Sequence, residues 1–398
     1  MPCTTPTTLD SEIDVMLDDL ADVPATLHTL RARGPAVWAR AFGEPALLLV
    51  SHELVNAAFR DEDTFPAAEY YGRVITDVLG RNLQCMRGEE HRVNRALVSP
   101  AFRSRLMPDL ISPLLEPVAH DLIDRFAPDG RADLVADFTA RYPFTIITRL
   151  LGLPQPAEDD VRRWALGMLD IRNHELASRC SAEFVAFVDP ILQRRRTDPG
   201  DDLVSTLATT EVDGERLTDE EIFNFLRLLF PAGADTTYLG LGSTLYSLLT
   251  NPDQLAIVLG DLDVECRWAG EEGIRCNPPT AWIPRYSPRD IVWHGVQIPA
   301  GTTMFLGVMA ANRDPAKFAE TDRLDVSRRA GSVMTFGFGT HCCLGAPLAR
   351  AEIETALRVI LTRLPDLRLT EPDTVRITGT FHHLLRGPNR LPVQFGRP

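Results

Sequence analysis

Residues 336–345 read Phe-Gly-Phe-Gly-Thr-His-Cys-Cys-Leu-Gly, so two adjacent cysteines stand among regularly placed glycines. Residues 346–357 follow directly, with the apolar spacing of an amphipathic helix. Glycine tolerates a positive φ and lets the backbone approach a flat group without a Cβ clash. The N–H groups at the start of a helix stabilise a negatively charged sulfur atom. The stretch therefore predicts a loop that presents a cysteine thiolate to a metal.

The frame around the second cysteine is Phe336-x-x-Gly339-x-x-x-Cys343-x-Gly345. It resembles the haem loop of the cytochrome P-450 family, in which the residue just before the iron ligand varies. The resemblance implies Cys343 as the ligand and leaves Cys342 as an ordinary small buried residue. The alternative is that both are structural thiols, because cysteine is among the most buried residue types. Since the frame is present, we interpret Cys343 as the haem ligand.

Composition limits the classes of protein that remain. The chain has 398 residues, 44% of them hydrophobic, and no linker or repeat divides it, so we expect one domain over residues 1–398. No apolar run approaches the roughly 20 residues that span a bilayer, and residues 1–14 lack the pattern of a secretory signal. We expect a cytoplasmic protein without a membrane anchor. The formal net charge of −14 argues against nucleic acid as a partner.

The cysteines indicate the redox environment. There are seven, scattered along the chain, with no Cys-x-x-Cys pair and no Cys-x-x-Cys-His attachment motif. We therefore expect a reducing compartment and a haem that is not covalently attached.

Hydrophobic periodicity predicts a mainly α fold with a smaller β region, and the resemblance implies the P-450 fold, with a long central helix over a haem held by the cysteine loop. The β-rich portions are about 36–51, 281–307 and 374–395. Residues 70–86 are expected to form a long, partly apolar loop. Helices are predicted at 52–60, 88–98, 108–127, 138–152, 158–175, 181–196 and 218–250, and strands at 281–286, 290–297, 302–307, 374–379 and 391–395, after a hairpin at 36–51.

The helix predicted at 218–250 begins with a capping box at residues 218–221 and breaks its apolar pattern at 232–237, Ala-Gly-Ala-Asp-Thr-Thr. A helical glycine costs about 1 kcal/mol relative to alanine, and a threonine hydroxyl can bond the carbonyl four residues earlier and bend the helix. Such a violation often marks a functional site, although a close helix crossing would also explain it. The stretch resembles the oxygen-binding kink of P-450s. That resemblance implies Ala232 and Gly233 beside the haem, and Asp235 and Thr236 as a catalytic acid–alcohol pair.

His91 and Arg95 lie four residues apart on a predicted helix, so both point the same way. Two such donors suit carboxylates, and the alternative is a solvated helix face. The resemblance implies that they bind haem propionates. It implies further haem contacts from Arg285, Phe336, Gly337, His341 and Gly345.

Glu272 and Arg275 face each other at a spacing of three residues. Read alone, the pair is an ordinary ion pair worth about 0.2–0.5 kcal/mol. The resemblance implies that Arg328 completes a buried structural triad with them. One residue departs from the family pattern: many soluble bacterial-type members carry histidine where this chain has Val333, which we read as local variation.

The resemblance implies a haem b monooxygenase that inserts one atom of O2 into a C–H or C=C bond. Electrons would come from NAD(P)H through a ferredoxin or flavodoxin and its reductase, and Arg103, Arg105, Arg350 and Arg358 are a candidate docking patch. A peroxide-using haem-thiolate enzyme and a non-catalytic haem sensor are the alternatives.

The substrate pocket is expected to be mostly apolar, which suits a compact hydrophobic compound such as a terpenoid, steroid, fatty acid or aromatic. His382 and His383 either face the ligand or lie in solvent. The candidate pocket residues are Tyr70, Val74, Leu229, Ala281, Trp282, Phe381, His382 and Leu384.

Overall fold

A computed structural model describes residues 13–16, 23–154, 158–170, 172–212, 214–329, 331, 333–380 and 384–396. Helices dominate the described residues, as the sequence predicts. The helices are α1 (Val23–Arg33), α2 (His52–Arg60), α3 (Ala67–Val74), α4 (Thr76–Leu79), α5 (Gly88–Val98), α6 (Met107–Leu110), α7 (Glu116–Asp124), α8 (Tyr142–Leu150), α9 (Glu158–Leu169), α10 (His174–Thr197), α11 (Leu203–Thr209), α12 (Asp219–Leu249), α13 (Pro252–Gly260), α14 (Leu262–Cys276), α15 (Val308–Asn312) and α16 (Ala346–Arg363). None of them combines the length and the apolar character that a membrane-spanning helix needs.

The strands are short and fall largely in the predicted β-rich portions. They are β1 (Ala36–Ala41), β2 (Glu44–Leu49), β3 (Arg131–Asp133), β4 (Glu211–Val212), β5 (Glu215–Arg216), β6 (Trp282–Tyr286), β7 (Ile291–Trp293), β8 (Val296–Ile298), β9 (Thr303–Gly307), β10 (Arg368–Leu369), β11 (Ile377–Thr380), β12 (Leu385–Pro388) and β13 (Pro392–Gln394). The longest sheet has the order β1-β2-β9-β6, and a second has the order β10-β13-β3. The remaining pairs are β4 with β5, β7 with β8, and β11 with β12.

Contacts divide the chain into two compact units, each assembled from separated segments. The first consists of residues 1–70, 242–343 and 373–389. The second consists of residues 71–241, 344–372 and 390–398.

The sheet of the first unit is buried on both faces. β2 pairs antiparallel with β1 and parallel with β9, and Leu47, Leu48 and Leu49 are all inaccessible to solvent. Because alternate residues of a strand point to opposite faces, Leu48 packs with Trp282 in one cluster while Leu47 and Leu49 pack in another. Continuous burial of this kind explains why β2 is apolar along most of its length.

The second unit is a helical body around the first part of α12. The predicted capping box forms as expected: the Thr218 amide donates to the Glu221 carboxylate (2.8 Å), and the Glu221 amide donates to the Thr218 hydroxyl (3.2 Å). Phe184 on α10 stacks on Phe230 on α12, with ring centroids 4.8 Å apart. Helix α16 packs against α6 and α7, so the helix after the cysteine loop belongs to this core.

Several predicted elements differ from the observed ones. Residues 70–86 form the short helices α3 and α4 and a 3₁₀ turn instead of a loop. The helix predicted from residue 181 begins at residue 174, because the Asn173 side chain accepts a hydrogen bond from the Leu176 amide and caps it. The strand predicted at 290–297 is the β7–β8 hairpin, turned by two residues of positive φ, His294 and Gly295. The helix predicted at 108–127 is interrupted by a π-helical turn at Ile111–Leu115.

The predicted Glu–Arg–Arg group is assembled in the first unit. Arg275 has no exposed surface, and its Nε and Nη2 donate to the two carboxylate oxygens of Glu272 at 2.7 and 2.9 Å. Arg328 Nε donates to the same carboxylate at 3.2 Å. Arg275 also donates to the carbonyls of Asn312 and Thr321, so one guanidinium joins α14 to two other segments. Glu272 and Arg275 therefore form a buried crosslink between segments, and not an ordinary ion pair on a helix surface.

We expect Arg275→Leu to lower the free energy of unfolding by about 3–5 kcal/mol, because it leaves the Glu272 carboxylate buried without its main partner. The measurement is urea unfolding of the variant beside the parent. Arg267→Leu on the same helix is the matched control, because Arg267 is exposed. A loss below about 1 kcal/mol for Arg275→Leu would show that the crosslink is dispensable.

Candidate active site

The cysteine loop depends on two glycines with positive φ, Gly337 at 64° and Gly339 at 72°. A Cβ atom on Gly339 would lie 2.4 Å from the Phe59 carbonyl oxygen, so only glycine fits there. The Cys343 amide then donates to the Phe336 carbonyl at 2.9 Å and closes the loop. Gly345 differs from the expectation: it has φ of −80° and caps the N-terminus of α16, with open space where its Cβ would lie.

The two adjacent cysteines differ in exposure. Cys343 is exposed, whereas Cys342 is half-buried, so the prediction that Cys342 is a buried core residue is wrong. The Cys342 amide donates to the Gly339 carbonyl at 3.2 Å, which holds that residue in the turn rather than in the core. The loop thus presents the Cys343 thiol at its surface, directly before the first turn of α16.

Two of the side chains predicted to bind propionates, Arg285 and His341, belong to the first unit. Arg285 lies on β6, and His341 lies in the cysteine loop. Arg285 on β6 is 3% exposed, and its guanidinium lies 5.8 Å from the centre of the Phe59 ring. His341 Nε2 lies 3.2 Å from the Glu62 carboxylate. The structure therefore gives His341 a protein partner that the sequence did not reveal, and it buries the Arg285 guanidinium near the Phe59 ring.

In the second unit, His91 and Arg95 lie on α5 as predicted. His91 is 2% exposed and Arg95 is half-buried. Their spacing of four residues places both on one face of the helix. This burial does not agree with a solvated helix face.

Residues 232–237 of α12 have the hydrogen bond that the sequence predicted. The Thr236 hydroxyl donates to the Ala232 carbonyl at 2.8 Å. Leu229, Ala232, Gly233 and Thr236 recur at a spacing of three and four residues, and all four keep accessible surface while most of their neighbours are buried. They form one accessible stripe on α12, which we call the open stripe.

Pro231, which the sequence analysis did not single out, lies inside α12, one residue before Ala232. Proline has no backbone N–H, so the Arg227 carbonyl loses its usual helical donor. Pro231 and Gly233 thus both weaken the same turn of α12: the proline removes a hydrogen bond, and the glycine has a low helix propensity.

Asp235 is buried beside the open stripe and is 1% exposed. Within the part of the chain that the structure describes, neither of its carboxylate oxygens has a hydrogen-bond partner. Burial raises the pKa of Asp235 from 3.8 to about 7, and the charge of Arg162 on α9 opposes that rise. A carboxyl group with this pKa both donates and accepts protons near neutral pH, as a proton relay requires.

The raised pKa predicts a pH dependence of stability. The folded protein holds the Asp235 proton more tightly than the unfolded chain between about pH 4 and pH 7, so stability present below this window is lost as the pH rises through it. We expect the free energy of unfolding of Asp235→Asn, measured relative to that of the parent, to be larger at pH 8 than at pH 5, by a few kcal/mol at most. Urea midpoints at both pH values measure this. An equal difference at the two values would contradict it.

The predicted pocket residues do not all lie on accessible surface. Ala281 and Trp282 are 2% and 3% exposed in the core of the first unit, where Trp282 packs against Gly307, so their place in the pocket stays a prediction without accessible surface to support it. They follow the double proline but enter β6 at once, and β6 lies in the buried sheet. Tyr70, Val74, Leu229 and Leu384 are partly exposed. Phe381, His382 and His383 lie outside the described residues.

The sequence analysis also missed Glu352, a carboxyl group on α16 that is 2% exposed. Burial raises its pKa well above the usual range. Its neighbour Ile353 and the residues one turn later, Ala356 and Leu357, are buried, and this apolar pattern could have placed Glu352 at the edge of the core.

The family model described as cytochrome P-450 matches residues 267–392, which contain the cysteine loop and the Glu–Arg–Arg group. The mycinamicin IV hydroxylase/epoxidase of Micromonospora griseorubida is 34% identical over 366 residues, which are 88% of this chain and 90% of that protein. The chain belongs to the cytochrome P-450 family.

Other P-450s support the same conclusion. The vitamin D(3) 25-hydroxylase of Pseudonocardia autotrophica is 35% identical over 77% of this chain and 76% of its own. The solved structure of PksS from Bacillus subtilis has a TM-score of 0.89 and 29% identity, and covers 96% of this chain and 100% of that one. As a P-450, the chain is a monooxygenase that hydroxylates or epoxidises a small, mostly apolar substrate with O2.

The residues of this P-450 fit its family's haem. Cys343 offers an exposed thiol, the soft ligand that haem-thiolate iron requires. Arg285 in the first unit and His91 in the second are each buried side chains of the kind that bind carboxylates. Bound haem supplies O2 activation, and the chain supplies a ligand, proton handling and a shaped pocket.

Proposed function

We propose that Cys343 is the thiolate ligand of haem b, and that Thr236 and Asp235 deliver protons during monooxygenation. The observation that carries this proposal is the pairing of an accessible helix face with a buried carboxyl group of pKa about 7 on the residue next to Thr236. In this proposal the Thr236 hydroxyl, which donates to the Ala232 carbonyl in the structure, turns to donate a hydrogen bond beside the haem. Asp235 can restore its proton because it exchanges protons near neutral pH.

The remaining haem contacts are part of the same proposal. His91, Arg95, Arg285 and His341 would hold the propionates, and Phe336, Gly337 and Gly345 would line the haem near Cys343. Burial of His91 and Arg285 supports this, because a buried cation or donor gains most from a charged partner. The contact of His341 with Glu62 would then compete with a propionate. We also propose that residues 1–398 act as one P-450 domain.

We propose that the substrate lies along the open stripe, with Val74 of the same unit as a further contact, while Tyr70 and Leu384 stay predictions from the sequence. Leucine, alanine and glycine give an apolar wall with little bulk, which favours a hydrophobic compound over a charged one. The names of the relatives mention mycinamicin IV and vitamin D(3), so bulky organic compounds belong in the screen.

The test is a screen of small molecules for a shift of the ferric Soret band, followed by turnover with a surrogate ferredoxin and reductase. We expect a compound that shifts the band to be converted to a product with one added oxygen atom. A compound that binds and shifts the band but is never oxygenated, with electrons supplied, would favour a ligand-binding protein. Product formation with hydrogen peroxide alone, and none with electrons, would favour a peroxide-using enzyme.

We propose a ferredoxin or flavodoxin, reduced by NAD(P)H through its reductase, as the electron donor. Arg103, Arg105 and Arg350 in the second unit are exposed. The segment with Arg103 and Arg105 leads into α6, which packs against the helix of Arg350. The Arg358 guanidinium is less available to an electron donor than the sequence suggested, because it donates to Glu116 at 2.7 Å. The proposed docking patch is thus Arg103, Arg105 and Arg350 on an acidic protein.

We expect the double variant Arg103→Glu and Arg105→Glu to slow reduction by an acidic donor about tenfold at low salt, because charge attraction accelerates association. Stopped-flow reduction at several salt concentrations measures the effect, which should shrink as salt screens the charges. The double variant Arg267→Glu and Arg289→Glu, on two exposed residues of the first unit, is the control of equal charge. Equal slowing by both changes would leave the patch without support.

A cytoplasmic location stays a prediction from the sequence.

A further inference from the structure

The cysteine loop carries thiols on two adjacent residues, and the other described cysteines lie in the core. Cys85, Cys180, Cys266 and Cys276 are buried, whereas Cys342 is half-buried and Cys343 is exposed. Oxidation of a cysteine depends on access as well as on thiolate character. An oxidant in solution therefore reaches the pair in the loop before any other described cysteine.

We propose that Cys342 is a resolving cysteine, which closes a reversible disulfide with Cys343 when the chain is oxidised before it binds haem. This goes beyond the monooxygenase function, because it concerns the chemistry of the loop itself. It gives Cys342 a role that a small core residue would not have.

The reaction needs an oxidant, and hydrogen peroxide is sufficient. Peroxide first oxidises Cys343: the thiol and one peroxide give a sulfenic acid and one water. Cys342 Sγ then attacks the Cys343 sulfur, the S–S bond forms, and the S–O bond breaks, with the Cys342 proton leaving in a second water. In sum, two thiols and one peroxide give one disulfide and two waters, so sulfur is oxidised and peroxide oxygen is reduced.

The loop geometry makes this disulfide labile rather than structural. Consecutive Cα atoms lie about 3.8 Å apart, which is shorter than the usual span of roughly 4.4–6.8 Å across a disulfide. A disulfide strained in this way is easily reduced by cellular thiols. Gly337 and Gly339 give the backbone freedom to bend before the pair, while the Cys342 and Cys343 amides and the contact of His341 with Glu62 hold the loop.

The pair protects the iron ligand. A sulfenic acid that has no neighbouring thiol goes on to sulfinic and sulfonic acids, which cellular thiols do not reverse. Ring closure with Cys342 stops this sequence at a reducible stage. The oxidised loop cannot ligate iron, and reduction restores it, so haem loading becomes dependent on the redox state of the compartment.

The test uses the full-length, haem-free chain treated with hydrogen peroxide, with and without later treatment with a thiol reductant. In the parent we expect the loss of two titratable thiols, a loop peptide lighter by two hydrogen atoms, and a loss of haem uptake that reductant restores. In Cys342→Ser we expect oxygen atoms added to Cys343 and a loss of haem uptake that reductant does not restore. Cys180→Ser, a buried cysteine in the second unit, should behave as the parent.

Three results would overturn the proposal. One is recovery of Cys342→Ser to the same extent as the parent. Another is a parent peptide in which Cys343 carries added oxygen while Cys342 is still a thiol, or in which the disulfide joins two chains. The third is an intact disulfide in the loop with unchanged haem uptake, which would remove Cys343 as the iron ligand. Peptide mass and thiol counts do not depend on activity, so failure here is distinguishable from failure of the monooxygenase proposal.

Discussion

Cys343→Ser is expected to abolish the strongly red-shifted Soret band of the ferrous CO complex, whereas Cys342→Ser keeps it. The physical reason is ligand softness: thiolate sulfur donates electron density to haem iron, and a serine hydroxyl is a poor replacement. The two variants change one atom each on adjacent residues, so they are matched in size and place. The structure favours Cys343, because that thiol is exposed at the end of the loop.

The measurement is the absorbance spectrum of the reduced, CO-bound protein after reconstitution with haem. Far-ultraviolet circular dichroism of both variants shows whether the fold is retained. The opposite result, loss of the band in Cys342→Ser alone, would move the ligand by one residue. That result would contradict the assignment of Cys343 as the ligand, which rests on the residue spacing between Phe336 and Gly345.

Thr236→Ala is expected to separate oxygen activation from haem binding. The variant should bind haem and substrate as the parent does, since the change removes only one hydroxyl and one methyl group on the open stripe. It should still consume reduced cofactor but release hydrogen peroxide in place of oxygenated product, because the proton donor beside the haem is gone. We expect product per electron pair to fall at least about tenfold, the usual lower range for loss of a positioned proton donor.

Thr236→Ser is the control, because it keeps the hydroxyl and should keep most of the coupling. Asp235→Asn tests the other half of the pair. It should slow the whole cycle, enlarge the solvent isotope effect and remove an inflection near pH 7 from the rate profile, since the pKa of Asp235 is about 7. Full coupling in Thr236→Ala together with an unchanged profile in Asp235→Asn would make the kink a packing feature only.

The sequence allowed prediction of most of the fold because the relevant signals are local. Apolar periodicity and a capping box predicted α12 to within a residue at each end. The positions of Gly337 and Gly339 predicted the positive φ angles of the loop, because glycine is the residue that adopts them without strain. The start of α10 was predicted too late, because the capping by Asn173 lies in a polar stretch without periodicity.

What the sequence could not provide depends on contacts between distant segments. The sequence assigned Trp282 to the pocket, whereas the pairing of β6 with β9 places it in the core of the first unit. The contact between His341 and Glu62 joins residues far apart in the chain, and no spacing rule predicts it. The pKa of Asp235 follows from burial of a group whose neighbours are set by helix packing, so the motif suggested the residue but not its protonation.

The parallel pairing of β2 with β9 has a consequence for synthesis. Leu47, Leu48 and Leu49 emerge from the ribosome early, yet their partners Met304, Phe305 and Leu306 follow only after more than half of the chain has been made. Until then the hydrophobic edge of the first hairpin has no strand to cover it, and such an edge is prone to aggregation. The partner strand is therefore missing for a long interval of synthesis, and distant pairing of this kind slows folding.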